Sequence, residues 1–328
     1  MSDNICCELR DALTASVKRN LSNAVLLSGG LDSSILASIA SKFVKLTGIT
    51  VTYNNAPDLQ FAKTIAEKHS IKHLIKHLTT HDLEDAVKKV IMIMHSFDPM
   101  EVRNTAVLYS SISTLKQNGF TSVMTGDGGD ELFAGYNYLL RLDEKKLNDE
   151  LNRLWKIMHF SSTVIGQELG VSVKCPYLDR EFIEVAKLIP VSLKVREQNG
   201  TRLGKWILRA CFQDGITTDI AWRTKMPLEQ GSGTSVLTQH FNSSTSDDNF
   251  NSKVKHYAQH DSVKVRNKEH LHYYEVYKEF FDPPKESDCE FRCPDCHGCV
   301  KKDSRFCNTC GAFPIKPIFD NKKGKRIT

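Results

Sequence analysis

Ala24-Val25-Leu26-Leu27-Ser28-Gly29-Gly30-Leu31-Asp32-Ser33-Ser34 is the stretch on which the reading of this chain turns. Its apolar start reads as a buried strand. The run stops at two glycines, and Ile35, Leu36, Ile39 and Phe43 then recur at helical spacing. A strand that passes through Ser-Gly-Gly into a helix N-terminus forms a cradle for a polyphosphate. Glycine lets backbone N–H groups approach the anion, and the helix dipole favours negative charge there. Ser28, Ser33 and Ser34 add hydroxyl donors. Asp32 is out of place beside a phosphate unless a bound Mg2+ links the two. No Gly-Lys-Ser/Thr follows, so the loop is not a Walker A loop.

The 328 residues suffice for one large α/β domain and a small appendage, and at 40% hydrophobic residues they supply a substantial core. The longest strongly apolar run, 90–94, is far too short to span a bilayer, and no secretory segment follows Met1. A cytoplasmic protein without membrane attachment is the expectation. Five basic residues after position 315 (Lys316, Lys322, Lys323, Lys325, Arg326) face one acid, Asp320, so this tail carries +4 of the net charge of +5. The body is close to neutral, and the tail is the one electrostatic hint of a polyanion partner.

From residue 20 to about 126, candidate strands (23–27, 48–53, 72–78, 121–125) alternate with candidate helices (32–45, 57–69, 81–94, 103–117). This pattern predicts an α/β fold with a doubly wound parallel sheet that gathers ligands at the carboxyl edge of its strands. Asp127 and Asp130 would then share an edge with Ser28. Residues 140–225 read as mainly helical, with helices at 142–158, 179–188 and 202–211. Residues 231–252 are polar and short of apolar anchors, which predicts a mobile loop, and a last helix spans about 266–281.

Thr125-Gly126-Asp127-Gly128-Gly129-Asp130-Glu131-Leu132-Phe133-Ala134-Gly135-Tyr136 packs three carboxylates and four glycines behind a strand. Three acids so close repel unless a cation or a proton-transfer role compensates. The Ser-Gly-Gly-x-Asp-Ser loop resembles that of the ATP pyrophosphatases. The 125–136 run is similar to that of the asparagine synthetases and β-lactam synthetases within that group. Tyr177-Leu178-Asp179 after Cys175-Pro176, Ala221-Trp222-Arg223-Thr224-Lys225 and the helix through Tyr274–Phe281 extend the likeness over roughly residues 20–282.

The resemblance implies an adenine nucleotide α-hydrolase-like fold and ATP cleavage between the α and β phosphates. The side-chain carboxylate of aspartate, or a similar acid, would be adenylated and passed to ammonia, giving asparagine, AMP and pyrophosphate. By position, Ser28, Gly29, Gly30, Leu31, Asp32, Ser33 and Ser34 would hold the ATP phosphates and Mg2+, with Gly126 near the adenine or α-phosphate. Asp130 and Glu131 would meet Mg2+ or the substrate amino acid, and Arg103 would lie near the substrate. Lys225 would stabilise charge developing on the α-phosphate and carbonyl oxygen. Asp127 stands where the family has glutamate, one methylene longer, which takes a proton as ammonia attacks. A further family lysine aligns with Ser162, Thr163 and Val164, none of which can replace it. Only about twenty residues precede the first strand, too few for the glutaminase domain of glutamine-dependent members, so ammonia from solution or a separate glutaminase is expected.

Six of the ten cysteines lie between 289 and 310. Cys293-Pro294-Asp295-Cys296 and Cys307-Asn308-Thr309-Cys310 form two Cys-x2-Cys knuckles, the arrangement of a closed structural Zn2+ site in a reducing compartment. Cys289, His297 and Cys299 are spare potential ligands. The expected division is 1–284 for the synthetase-like domain, 285–315 for a zinc ribbon and 316–328 for the basic tail. The ribbon could serve a protein or RNA partner. Two other readings stay open: a tRNA-modifying ATP pyrophosphatase that grips RNA with the ribbon, and a non-catalytic interaction protein.

Overall fold

The computed structural model describes residues 2–54, 56–198, 200–286 and 288–320; Lys322, Lys323, Lys325 and Arg326 of the basic tail lie outside them. The chain divides into two compact units, one of residues 1–78 and 110–233, the other of residues 79–109 and 234–328.

The first unit is built on five parallel strands: β1 (Ala24–Leu26), β2 (Thr47–Thr52), β3 (Lys72–His77), β4 (Ser122–Met124) and β5 (Ser172–Lys174), in the order β3-β2-β1-β4-β5. The order reverses between β1 and β4. In a doubly wound sheet that switch point opens a crevice at the carboxyl ends of the two strands, which is where the Ser28 and Asp127 loops leave the sheet. β2 is buried along its whole length, as a central strand covered on both faces must be. The helix Leu31–Ala40 is buried on nearly every side and packs with Leu9, Leu13 and Val17 of the helix Ser2–Arg19. Cys6 of that first helix is disulfide-bonded to Cys211 of the helix Trp206–Phe212, with Cα atoms 5.1 Å apart.

Two expectations for this unit need correction. The stretch read as mainly helical contains β5 and a hairpin of β6 (Val195–Gln198) with β7 (Thr201–Gly204). The helix expected over 202–211 starts only at Trp206 because β7 occupies its first turn.

In the second unit the helix Thr80–Met94 opens with a capping box between Thr79 and Asp82. The helix Lys268–Phe280 buries Leu271, Tyr273, Tyr274, Val276 and Tyr277. The mobile loop expected over 231–252 is mostly helical: Val236–Ser244 anchors by Leu237 and Phe241, and Asp247–His260 is capped by Ser246. Two anchors, with Phe241 stacked on His272 at 4.1 Å, replace the longer apolar stripe whose absence suggested a loop. β8 (Phe291–Arg292) pairs with β9 (Ile318–Phe319) beside the two cysteine knuckles. Cys289 and Cys299, open as spare ligands in the sequence, bond each other.

Candidate active site

The phosphate-type loop is shaped by its glycines and serines. Gly29 has a left-handed backbone (φ +74°), and a Cβ there would lie 2.6 Å from the Ala62 nitrogen and 2.7 Å from the Asp58 oxygen. Only glycine lets the loop seat this closely on the helix Leu59–Lys68. Gly30 caps the helix Leu31–Ala40, Ser28 Oγ accepts from Gly30 N at 3.2 Å, and the Ser28 and Ser33 hydroxyls meet at 3.0 Å. Ser34 Oγ and Asp32 Oδ1 are buried with no hydrogen-bond partner.

The second loop closes against the first. A Cβ on Gly126 would stand 3.0 Å from that of Asp32, and one on Gly129 would stand 2.7 Å from Asp32 Cγ. Two motifs nearly a hundred residues apart thus form one site, with Asp32 at their seam. Lys205 Nζ bonds Asp32 Oδ2 and lies 2.7 Å from Asp130 Oδ1, which Lys225 Nζ also reaches at 2.7 Å. Burial works against ionisation of Asp130, but Lys205 and Lys225 overcome it and hold the carboxyl down at about 2. For Asp32, burial prevails over Lys205 and raises its pKa. Burial opposes the charge on Lys205, but Asp130 and Asp32 outweigh it and raise the lysine's pKa.

Lys205 is the residue that sequence reasoning missed. It sits between the β6–β7 hairpin and the helix Trp206–Phe212, with a left-handed backbone (φ 56°) that is rare outside glycine and concentrates at functional sites. Its signal was the run Gly204-Lys205-Trp206-Ile207-Leu208, a cation held at the mouth of an apolar helix. Arg209, one turn further on, donates to the carbonyls of Gly204 (2.9 Å), Ala221 (2.6 Å) and Arg223 (2.9 Å), so one buried guanidinium braces the segments that carry both lysines. Arg223 in turn pairs with Asp58 at 2.7 Å.

Asp127 lies half-buried beside this cluster. Thr125 Oγ1 donates to its Oδ2 at 2.7 Å, and Ser162 Oγ donates to the same oxygen. Burial raises the Asp127 pKa against the pull of these two hydroxyls. Both donors fall on one oxygen, which leaves Oδ1 as the atom open to other chemistry. Cys175 Sγ is 3.4 Å from Thr125 Oγ1, and burial pushes its thiol up to about 11, so it is a poor nucleophile. Glu131 accepts from Tyr136, whose ring stacks under Lys225 Nζ at 4.6 Å.

The first unit therefore gathers Ser28 to Ser34, Gly126, Asp127, Asp130, Glu131 and Lys225, and adds Lys205. Arg103 belongs to the second unit, where it pairs with buried Glu269 at 2.6 Å. In that same unit the Sγ atoms of Cys293, Cys296, Cys307 and Cys310 all lie within 4.8 Å of one another and are buried. Four soft thiols at that spacing fit Zn2+. The knuckles are docked on their own unit: Phe97 N donates to Thr309 O (2.7 Å), Ser96 Oγ to Asn308 O (2.6 Å) and Lys264 N to Asp295 O (2.7 Å). The orphaned Asp32 Oδ1 and the neighbouring Asp130 are hard oxygen donors that fit Mg2+.

A parallel sheet with a glycine–serine loop at its switch point, facing two carboxylates bridged by Lys205, has the architecture of a nucleotide-binding α/β domain. The family model for asparagine synthase matches residues 8–168 and 164–282. The chain belongs to the asparagine synthase family. It is 29% identical over 309 residues to asparagine synthetase B [glutamine-hydrolyzing] of Escherichia coli (strain K12), covering 86% of this chain and 55% of that protein. Against asparagine synthetase [glutamine-hydrolyzing] 1 of Lotus japonicus it is 30% identical over 246 residues, 68% of this chain and 42% of the other. The chain spans about half the length of the curated relatives it matches. Among solved structures, NMN synthetase from Francisella tularensis aligns with a TM-score of 0.31 at 14% identity, covering 57% of this chain and 91% of that one. No helix among the described residues is long and apolar enough to cross a membrane.

Proposed function

We propose that this chain is an AMP-forming ligase that adenylates the side-chain carboxylate of aspartate and transfers the acyl group to ammonia, giving asparagine. The observation that carries the reading is the convergence of the Ser28–Ser34 loop with Asp127, Asp130, Lys205 and Lys225 at one switch point. The loop N–H groups and the Ser28, Ser33 and Ser34 hydroxyls would bind the β and γ phosphates, which leave together as pyrophosphate. Gly126, whose backbone packs against Asp32, would lie near the adenine or the α-phosphate. Mg2+ held by Asp32 and Asp130 would neutralise the phosphate oxygens. Lys225 and Lys205 would stabilise charge developing on the α-phosphate and the attacked carbonyl oxygen, and preorganised cations of this kind lower such barriers most. Asp127 Oδ1 would take the proton from attacking ammonia. Glu131, fixed by Tyr136, would orient the substrate's amino group, and Arg103 is assigned to the substrate on the family resemblance alone.

Zn2+ on the four cysteines would be structural, since four thiolates leave no open coordination position. The division into 1–284, 285–315 and 316–328 and a cytoplasmic location complete the proposal. The test is incubation of the protein with ATP, Mg2+, ammonium and a panel of carboxylic amino acids, reading AMP release. Aspartate-dependent AMP with asparagine formed in equal amount supports the reading. AMP release with a different acid would replace the substrate, and none with any acid would overturn the proposal.

A further inference from the structure

Residues 299–328 hold eight lysines and arginines against two aspartates, a net +6, whereas the 298 residues before them hold 36 against 37. The whole positive excess of the protein is therefore gathered at the second cysteine knuckle and the chain beyond it. One of the two acids, Asp320, is already paired with Arg292 at 2.6 Å.

The same knuckle exposes aromatic rings. The two sides of its loop are tied by Cys307 N to Ala312 O (3.1 Å) and Ile315 N to Arg305 O (2.9 Å). Cys307, Ala312 and Ile315 are buried, while Phe306 is 41% and Phe313 67% exposed. Arg305 directly precedes Phe306, Lys316 follows Phe313 by three residues, and Lys301 and Lys302 are exposed in the turn closed by Ser304 N to Lys301 O (3.0 Å). Large rings left in water on a cysteine-clamped scaffold and flanked by cations suit one class of ligand. Unpaired bases stack on aromatic faces while lysine and arginine neutralise the phosphates between them. Zinc knuckles are among the small modules that read single-stranded RNA in this way. An anionic membrane instead favours a continuous apolar helix face, and the described residues 288–320 contain no helix.

We infer that the second knuckle, over residues 301–316, forms a docking surface for single-stranded RNA, with Phe306 and Phe313 as stacking platforms and Lys301, Lys302, Arg305 and Lys316 as phosphate contacts. This goes beyond the ligase reading and holds whichever acid is activated.

The test uses the full zinc-loaded chain and a fluorescent 20-mer of uridine, read by anisotropy. Saturable binding is expected at about 50 mM salt, weakening as salt rises with a log–log slope near −3, the value for about four phosphate contacts on a single strand. Phe306→Ala and Phe313→Ala should each weaken binding on the order of 5- to 100-fold, the range of base-on-ring stacking, with zinc content unchanged. If either alanine variant loses zinc, Phe306→Leu with Phe313→Leu keeps an apolar group and should still lose affinity. No RNA binding, unchanged affinity in the phenylalanine variants, equal affinity for duplex RNA, or binding only to phosphatidylserine vesicles would each overturn the inference.

Discussion

Asp127→Asn separates the two halves of the proposed reaction and makes a stability claim of opposite sign. Asp127 is half-buried, and its partial loss of solvent raises its pKa above the ordinary value despite hydroxyl donation from Thr125 and Ser162. The sign follows from linkage. A carboxyl whose folded pKa is raised contributes stability that is complete below the unfolded pKa near 3.9 and is lost as pH rises through the folded value. At neutral pH the ionised side chain therefore opposes folding, by about 1.4 kcal/mol for each unit of elevation. Asparagine keeps an oxygen to accept from Ser162 and Thr125 but carries no charge, so the variant should be as stable as the parent or more stable at pH 7. Its advantage should vanish near pH 4. Ammonia transfer needs a base, so asparagine synthesis should fall about 10²- to 10⁴-fold. Aspartate-dependent exchange of pyrophosphate into ATP should survive, since Asp32, Asp130, Lys205 and Lys225 are untouched. Thermal unfolding at pH 4 and 7, with the exchange and synthesis assays, reads all three. A lower melting temperature at pH 7 would refute the electrostatic argument, and undiminished synthesis would refute the role of base.

Ser162→Ala removes one of the two donors to Asp127 Oδ2, so the acid limb of the kcat/KM profile for synthesis should move to higher pH by about one unit, the worth of one hydrogen bond to a charged group; Ser162→Thr should restore it. Lys205→Met leaves Asp32 and Asp130 facing each other in a buried site and should cost on the order of 3–5 kcal/mol in urea unfolding as well as activity. Asp130, held down at about 2, stabilises the parent fully above pH about 4 and loses that contribution as pH falls towards 2, so the gap between Lys205→Met and the parent should narrow in acid. Metal analysis should find about one zinc per chain, and chelation should loosen the second unit, seen as faster amide exchange at Phe97, whose N–H is bonded to Thr309 of the knuckle.

Much of the first unit was legible because its signals are local. The apolar run 24–27 and the glycines after it announce strand, turn and helix within one window, and the alternation through β4 dictates a parallel sheet. β5 escaped because Ser172-Val173-Lys174 is three residues with a single apolar side chain, and its strand character comes from pairing with β4. The helix Asp247–His260 escaped for a related reason: it buries none of its residues. It is held instead by the Ser246 cap and by ion pairs such as Lys253–Glu275 at 2.7 Å, which leave no periodic pattern. Lys205 contacts Asp32 across 173 positions, a pairing set by where the β6–β7 hairpin returns the chain. The resemblance sought its missing lysine near Ser162, where the fold has placed a hydroxyl that serves Asp127 instead.

The central claim is that the Ser28–Ser34 loop and the Asp130–Lys205–Lys225 cluster act together to split ATP between its α and β phosphates. A 31P spectrum taken during turnover with Mg2+, aspartate and ammonium tests it most directly. AMP and pyrophosphate should rise together, one of each per asparagine formed. ADP and inorganic phosphate as the main products would contradict the account.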